Sequence, residues 1–320
     1  MHRSCKTFLL GAIALSLASV PACDRAPAEG EDVSRSEERT RDAGDAAWVR
    51  VVDDAGDTLA LPSPAQRIVS LVPSVTGTIV SLGAADRLIA RTRYDLEPEL
   101  AGLPSLGGGL DPSIEGIVDL RPDLVIAWNA RDDRVLVPRL RGAGIPVYVA
   151  EIQDTTAMFA TIERVGVLLG AADRADSIAA ALRDTFAAVV ADVPTGPRPT
   201  ALYLIAEDPP RTAGPGTFIG QAIEIAGAVP AFPELSEDWP TVALEAVMAR
   251  SPDAIVLPVG ADLPARDALA RRSGWRDLAA VREGRIVEID ADLLARPGPD
   301  LGRAARVLRE GLAAIEEKSR

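Results

Sequence analysis

Two twelve-residue segments of this chain repeat one another, and this repetition restricts the fold more than any other sequence feature. Residues 115–126 read EGIVDLRPDLVI and residues 245–256 read EAVMARSPDAIV, with Glu, Pro and Asp in register. In both copies a helical apolar pattern ends before a proline and an apolar strand follows, which is the order of one helix-to-strand unit of a parallel sheet. The chain is therefore predicted to contain two similarly built halves.

Short apolar segments alternate with helical patterns in both halves, as in parallel sheets that are covered by helices on both faces. The predicted strands are residues 67–71, 87–90, 124–128 and 147–150 in the first half and residues 201–206, 254–257 and 285–289 in the second. Between the halves, helical spacing covers residues 155–169 and 174–193 and stops at a proline-rich stretch. We predict an α/β fold of two lobes, each with a central, mostly parallel sheet flanked by helices. The N-terminal lobe is assigned to residues 47–172, a long rigid joining helix to residues 173–195, and the C-terminal lobe to residues 196–320.

The first residues have the features of an export signal. A basic start, an apolar run over residues 8–20 and small residues lead to Cys23. The sequence ending at Cys23 resembles the lipobox at which bacterial lipoproteins are cleaved and acylated, although Pro21 departs from the usual pattern. Asp24 resembles the signal that retains enteric lipoproteins on the inner membrane. We therefore predict a signal peptide (1–22), a lipid anchor on Cys23 that holds an exported protein to the periplasmic face of the cytoplasmic membrane, and a disordered tether (23–46). Ordinary signal cleavage beside an incidental cysteine is the alternative.

A β-hairpin is predicted over residues 48–61, because two short strand patterns flank a turn that contains glycine. The folded part is expected to begin with this hairpin.

The sequence lacks residues that several classes of function need. Its one histidine, His2, lies in the signal segment, so the mature chain has no imidazole for base catalysis or zinc binding. A formal net charge of -13 disfavours nucleic acids. Gly214, Gly216 and Gly220 have the wrong spacing for a dinucleotide-binding loop and predict a turn that leads into a helix, whereas residues 107–109 predict a flexible loop. No enzymatic activity, metal site or cofactor is predicted.

Four motifs resemble a known family: RIVSLVPSVTGTIVSLGAADRLIARTRYD, SIEGIVDLRPDLVIAW, GPGTFIGQAIEIAGA and RIVEIDADLLARPGPDLGRA. From about residue 67 to the C-terminus the chain resembles the iron-siderophore and cobalamin periplasmic-binding proteins, which are class III solute-binding proteins of ABC importers. The resemblance implies two α/β lobes joined by a rigid backbone helix. It also implies that a small-molecule ligand binds in the cleft between the lobes with little closure.

Within that family, the cobalamin-binding branch resembles this chain at three aromatic positions, Tyr94, Trp128 and Trp239. Aromatic residues make up only 4% of the chain, and rings placed after strands of both lobes suit a broad, largely apolar macrocycle such as a corrinoid. The alternative is that the two tryptophans are core residues. The resemblance also places Asp292 and Arg296 in a loop that lines the cleft, where Arg296 pairs with a ligand carboxylate or caps Asp292.

The repeated glutamates Glu115 and Glu245 match the pair with which this family docks, one per lobe, onto arginines of the two permease subunits. Equivalent charges on both lobes suit a dimeric membrane partner. The alternative is that both glutamates are favoured by the dipole of the helix on which they lie. The implied partners are an ABC permease dimer with its ATPase subunits, and the binding protein itself is expected to be monomeric.

Three other functions compete with corrinoid binding. The same fold could carry a ferric siderophore or haem. Arg93 and Arg131 are further candidates for the cleft lining, whichever ligand is bound. A different class is an enzyme, either a carboxylate-based hydrolase or a nucleotide-dependent α/β protein. The third is a signalling or chaperone-like lipoprotein that uses this fold without transport.

Overall fold

The computed structural model describes residues 49–128, 135–260 and 266–318. The signal segment, the tether, Cys23 and Arg131 lie outside these ranges. Residues 47–320 form a unit of their own by the distribution of contacts. Within the described ranges, no helix combines the length and the apolar character that crossing a membrane requires.

The N-terminal lobe begins with the predicted antiparallel hairpin, formed by β1 (Val49–Val52) and β2 (Thr58–Leu61). Its turn is stabilised by the carboxylate of Asp53, which accepts hydrogen bonds from the N–H groups of Ala55 (3.1 Å) and Asp57 (2.8 Å). Four strands then form a parallel sheet: β3 (Ile68–Ser70), β4 (Leu88–Ala90), β5 (Leu124–Trp128) and β6 (Val147–Ala150). Their order across the sheet is β4-β3-β5-β6.

The C-terminal lobe contains a second parallel sheet with the same topology. Its strands, together with a small antiparallel hairpin (β8 and β9), are β7 (Thr200–Tyr203), β8 (Ala206–Glu207), β9 (Pro210–Arg211), β10 (Val229–Pro230), β11 (Ala254–Val259) and β12 (Ile286–Asp290). The order across the sheet is β10-β7-β11-β12, so in each lobe the second strand of the sheet lies outside the first. β10 has no signal in the sequence, because two residues, one of them a proline, do not make an apolar run.

Helices cover the two sheets. They are α1 (Pro73–Ser81), α2 (Ile114–Leu120), α3 (Leu136–Gly142), α4 (Thr155–Leu168), α5 (Ala172–Ala191), α6 (Phe218–Ile225), α7 (Leu244–Arg250), α8 (Arg266–Arg271), α9 (Ala279–Arg282), α10 (Ala291–Ala295) and α11 (Leu301–Lys318). The predicted two-lobed α/β fold is confirmed.

The sequence repeat corresponds to one structural unit in each lobe, α2 followed by β5 and α7 followed by β11. Both helices end in a residue with left-handed backbone, Arg121 (φ 48°) and Ser251 (φ 46°). The aspartate that follows the proline then binds the start of the neighbouring strand. Asp123 accepts the N–H groups of residues 66 and 67 at 2.8 and 2.9 Å, and Asp253 accepts the N–H and the hydroxyl of Thr200, both at 2.8 Å. The repeated Pro-Asp therefore joins adjacent strands in both sheets.

Helices α4 and α5 connect the lobes, and the helical conformation is interrupted between them. The helix predicted over residues 173–195 covers Ala172–Ala191, because Pro194 cannot continue a helix. The break before it contains Gly170 (φ 65°), a conformation that favours glycine. The rings of Phe159 on α4 and Phe186 on α5 pack edge to face with centroids 6.2 Å apart. On its other side α5 contacts α11 of the C-terminal lobe, where Arg306 donates a hydrogen bond to Thr185 at 3.1 Å.

Candidate ligand cleft

The carboxyl ends of the strands of both sheets face a common cleft between the lobes. Parallel α/β sheets place ligands at this edge. Two cavities lie in the cleft, and the segment 295–297 lies between them. Ala295 and Pro297 line the first cavity, whereas Arg296 lines the second.

The first cavity, here called the aromatic cavity, has a volume of ≈ 320 Å³. Trp128 and Tyr203, the last residues of β5 and β7, line it from the two lobes. Trp239 and Phe218 contribute a pair of rings whose centroids are 6.1 Å apart at 67°. Glu151, Ile152, Gln153, Ile205 and Ile219 complete most of the remaining wall. The cavity therefore offers flat apolar surfaces from both lobes, as apolar ring ligands require.

Hydrogen bonds between the lobes hold the base of the aromatic cavity together. The N–H of Phe218 donates to the carbonyl oxygen of Gln153 at 2.8 Å. The side-chain oxygen of Gln221 accepts the N–H of Thr155 at 2.9 Å and its hydroxyl at 2.7 Å. These contacts join α6 of one lobe to the loop before α4 of the other. Phe218 and its ring partner are thereby fixed relative to the N-terminal lobe.

The glycine-containing segment before α6 is the predicted turn that leads into a helix. Thr217 caps α6, since its hydroxyl accepts the N–H of Gly220 at 3.0 Å and donates to the carbonyl of Gly214 at 2.8 Å. A side chain at Gly220 would collide with the carbonyl oxygen of Gly214, and one at Gly214 with that of Glu237. The glycines therefore permit close backbone packing behind Phe218 and Trp239.

The other glycine segment, residues 107–109, is closely packed, whereas the sequence predicts a flexible loop. Any side chain at Gly109 would collide with the carbonyl oxygen of Leu71 and would approach the indole nitrogen of Trp128. A side chain at Gly108 would meet the carboxylate of Asp111. This segment supports Trp128 from the N-terminal lobe.

The second cavity, here called the polar cavity, has a volume of ≈ 490 Å³. It lies between the start of α1 and Glu97 of the N-terminal lobe and the α10–α11 region of the C-terminal lobe. The charged and hydroxyl side chains that line it are Ser74, Ser81, Glu97, Asp290, Asp292, Arg296, Asp300 and Arg303. Aromatic side chains are absent from this set, so the two cavities differ in chemistry.

Arg296 connects the two lobes across the polar cavity. Its guanidinium donates to the carboxylate of Glu97 at 3.3 Å, to the carbonyl of Tyr94 at 2.5 Å and to Asp292 at 3.1 Å. The side chains of Arg296 and Glu97 are each 20% exposed. Burial raises the pKa of Glu97, and Arg296 partly offsets this effect. Of the two roles considered for Arg296, capping of Asp292 is present, and the contacts with Glu97 and Tyr94 were not predicted.

Tyr94 lies apart from the two tryptophans. Tyr94 does not line the aromatic cavity, and 53% of its surface is exposed. The guanidinium carbon of Arg93 lies 5.3 Å from the centroid of this ring. Arg93 also donates to both carboxylate oxygens of Asp111 at 2.7 and 2.8 Å, which lowers the pKa of Asp111. The structure thus brings Trp128 and Trp239 together and leaves Tyr94 on the exposed surface of the N-terminal lobe.

Glu115 and Glu245 occupy equivalent exposed positions, each the second residue of its helix, α2 or α7. The alternation of exposed and buried side chains is the same around both residues, over 111–119 and 241–249. Glu115 lies 3.4 Å from Arg139, and both side chains are exposed. Among the described residues Glu245 forms no ion pair.

Phe218, Tyr203, Glu97 and Gln221 were not singled out from the sequence. Phe218 could have been found, since it follows the helix cap within the GPGTFIG motif. Glu97 and Gln221 act through partners that are distant along the chain, and no local pattern marks them.

Comparison with known proteins gives a consistent family. A family model described as periplasmic binding protein matches residues 68–293. A cobalamin-binding protein of Halobacterium salinarum is 32% identical over 260 residues, which cover 77% of this chain and 69% of the relative. An uncharacterised ABC transporter substrate-binding lipoprotein of Bacillus subtilis is 26% identical over 311 residues, which cover 94% of this chain and 95% of the relative.

Solved structures share the fold. The periplasmic vitamin B12 binding protein of Vibrio cholerae matches with a TM-score of 0.67 and 25% identity, over 79% of this chain and 98% of the other. A periplasmic haem-binding protein from Pseudomonas aeruginosa matches with a TM-score of 0.69 and 27% identity, over 77% of this chain and 91% of the other. The fold therefore occurs in proteins that bind different ligands. The fold alone does not identify the ligand, which depends on the side chains of the cleft.

Proposed function

This chain belongs to the periplasmic binding protein family, and on that premise we propose that it is the solute-binding protein of an ABC importer that captures cobalamin or a related corrinoid. The corrinoid would bind in the cleft between the lobes and be delivered to the permease. The relatives are named as binding proteins, which agrees with a carrier rather than an enzyme.

The observation that carries this proposal is the convergence of Trp128, Trp239 and Phe218 on one cavity. These rings come from both lobes, so a flat ligand would contact both at once. Trp275, in contrast, is fully buried in the C-terminal lobe and donates to the carbonyl of Glu207 at 3.2 Å. Trp128 and Trp239 pack against the core but are only partly buried and line the cavity, which favours a role in ligand contact.

The size of the ligand bears on Tyr94. A volume of ≈ 320 Å³ is at the lower end of the range for small-molecule sites, so a corrinoid would extend beyond the aromatic cavity. We propose that the macrocycle covers the outer part of the cleft as well, where the exposed ring of Tyr94 can reach its edge. The polar cavity, which is lined by Asp292 and Arg296, adjoins this outer part of the cleft.

A haem or siderophore ligand is the second candidate, because a haem-binding protein is among the solved structures with this fold. Anionic ligands of that kind need a free cation in the cleft. Arg296 is already engaged by Glu97, Asp292 and the carbonyl of Tyr94, and Arg93 is engaged by Asp111. Arg131, the other candidate for the cleft lining, lies outside the described residues, so it is the described part of the cleft that favours a ligand without anionic groups.

Ligand titration of the full chain, purified in detergent, tests the assignment. Tryptophan fluorescence should be quenched by cobinamide or cobalamin at nanomolar to micromolar concentrations and not by haem or ferric siderophores. Replacing Trp239 by Leu should weaken corrinoid binding at least about tenfold, because one of the cavity rings is lost. Binding of haem alone, or undiminished corrinoid binding by the variant, would contradict the proposal.

We propose further that Glu115 and Glu245 dock the lobes onto the two permease subunits. Their equivalent exposure on α2 and α7 supports this, since a two-fold partner needs matched charges. Charge reversal at either position should slow transport and leave corrinoid affinity unchanged. Because Arg139 competes for Glu115, reversal of Glu245 is expected to have the larger effect. Uptake by vesicles that contain the permease measures this, and wild-type uptake by both variants would refute it.

We also propose that Cys23 carries the lipid anchor at the periplasmic face of the cytoplasmic membrane. The relative named as a lipoprotein supports this assignment. Cys23→Ala should release the protein from the membrane fraction, and mass spectrometry of the N-terminal peptide should detect the acyl chains only in the unsubstituted protein. A membrane-bound Cys23→Ala variant would contradict the anchor.

A further inference from the structure

The repeated helices α2 and α7 share an exposed apolar side chain in addition to their glutamates. Val118 is the fifth residue of α2 and Met248 is the fifth residue of α7, so both occupy the same position of the repeat. Their exposed fractions are 37% and 41%. Among the described residues of these two helices, no other large hydrophobic side chain is exposed to this extent.

Each apolar side chain lies on the same side of its helix as the glutamate. Val118 and Met248 follow Glu115 and Glu245 by three positions, and residues three apart are neighbours on a helix surface. The residue directly before each apolar side chain is fully buried, which fixes the side of the helix that faces inward. Each lobe therefore presents a carboxylate and an apolar side chain together to solvent. We call these two residues the docking pair of the lobe.

The same backbone framework holds both docking pairs. Each helix ends in a residue with left-handed backbone, and the aspartate two positions further on binds the start of the neighbouring strand. The docking pair is thus tied to the sheet of its lobe in the same way in both halves. A surface that fits one docking pair would find the second in an equivalent setting.

Helix stability does not account for the apolar member of the pair. Valine is a weak helix former, so an exposed position of a short helix gains nothing from Val118. Single exposed apolar residues are common on protein surfaces and need no explanation. Chance exposure does not account for an apolar side chain at the same position of both repeats, each time beside a carboxylate.

We propose that Val118 and Met248 are apolar docking residues, which insert into two equivalent sockets of the ABC permease dimer. This inference rests on the proposed function, because it takes the permease as the partner. The recurrence of the pair favours this occupant, since a partner with two equivalent subunits presents two equivalent sockets. Each socket combines an apolar surface with a basic group for the neighbouring glutamate. The unbranched thioether of Met248 adapts to such a surface.

The two members of a docking pair act on different rate constants. Exposed charges mainly accelerate association, and salt screens them. Burial of an apolar side chain acts after contact and slows dissociation. Substitution of Val118 or Met248 should therefore raise the dissociation rate constant at every salt concentration, whereas Glu245→Lys should lower the association rate constant most strongly at low salt.

The experiment measures association and dissociation by biolayer interferometry. The full chain and the corrinoid permease with its ATPase subunits are purified in the same detergent. Complete burial of such a side chain is worth roughly tenfold to a hundredfold in affinity. Since only the exposed part of each side chain remains to be buried, Val118→Ser and Met248→Ser should each weaken binding about threefold to fivefold. The double variant should lose at least about tenfold, because the two sites lie in different lobes and their effects add.

Matched controls lie on the helices between the lobes. Val167 on α4 is 38% exposed and Val190 on α5 is 48% exposed, so Val167→Ser and Val190→Ser change comparable apolar surface away from the docking pairs. Both should bind the permease as wild type does. Val118→Ile and Met248→Leu keep an apolar side chain and should also bind as wild type does. Corrinoid affinity should be unchanged in every variant.

Four results would overturn the inference. If Glu245→Lys weakens permease binding and the double variant binds as wild type does, the apolar docking residues are wrong and the docking glutamates stand. An equal loss with Val167→Ser would show an effect of surface apolarity in general. A wild-type dimer in sedimentation that the double variant abolishes would assign the docking pairs to a second copy of this chain. If wild type binds no permease, the proposed docking fails as well. Circular dichroism checks folding, and the single variants carry the test should the double variant not fold.

Discussion

The ion pair between Arg296 and Glu97 joins residues 199 positions apart and should contribute measurably to stability. Arg296→Met keeps much of the apolar stem but leaves the largely buried carboxylate of Glu97 without its cation. Loss of one partner of a fully buried pair costs about 3–5 kcal/mol. Since both side chains are 20% exposed, we expect about 2–3 kcal/mol of unfolding free energy to be lost.

Removing both charges should cost less unfolding free energy than removing the charge of Arg296 alone. Glu97→Gln relieves the burial of a carboxylate, so we expect a change within about 1 kcal/mol, and the double variant should be more stable than Arg296→Met alone. The coupling energy of the cycle should be about 1–2 kcal/mol. Arg303→Gln is the control: its ion pair with Asp300 is exposed, so the change should stay within about 0.5 kcal/mol.

Urea unfolding monitored by circular dichroism and tryptophan fluorescence measures these values, provided that the two transitions coincide. The dependence on pH gives an independent check. Burial raises the pKa of Glu97 in the folded state, so the folded protein holds this proton at pH values where the unfolded chain has lost it. Stability relative to Glu97→Gln should therefore fall as the pH rises from about 4.3, the ordinary glutamate value, through the folded pKa. An additive cycle, or a cost below about 0.5 kcal/mol for Arg296→Met, would refute the reasoning.

Three further predictions concern the framework of the cleft. Gly220→Ala should lower the unfolding free energy by at least about 2 kcal/mol, because its Cβ meets the preceding backbone, whereas Gly216→Ala, which has open space, should be neutral in the same urea titration. Asp253→Ala should cost about 1 kcal/mol by calorimetry, since Thr200 loses the acceptor of its N–H and hydroxyl; an unchanged melting temperature would contradict this. Trp275→Ala should cost about 3–5 kcal/mol and leave the corrinoid affinity of the folded fraction within about twofold, because this ring lies in the core and not in the cavity; a large loss of affinity would count against the separation of core and cleft.

Most of the secondary structure followed from local sequence patterns. Apolar runs that alternate with helical spacing locate seven of the eight strands of the two sheets, since burial on both faces leaves a signal within each segment. β10 has no such signal because it is only two residues long. The repeat also predicted that both lobes share one unit, and the structure supplies the reason in the carboxylates of Asp123 and Asp253, which bind the neighbouring strand.

The composition of the cleft was decided by the tertiary structure. The sequence favoured Trp128 and Trp239 as ligand contacts over core residues and gave no assignment for Trp275, and only the packing shows two cavity rings and one buried ring. Likewise, Arg296 and Glu97 meet only when the lobes are assembled. Periodicity reports which face of a segment is buried, because that depends on residues a few positions apart. It carries no information on which distant side chain completes a contact, because that depends on how the segments are arranged in space.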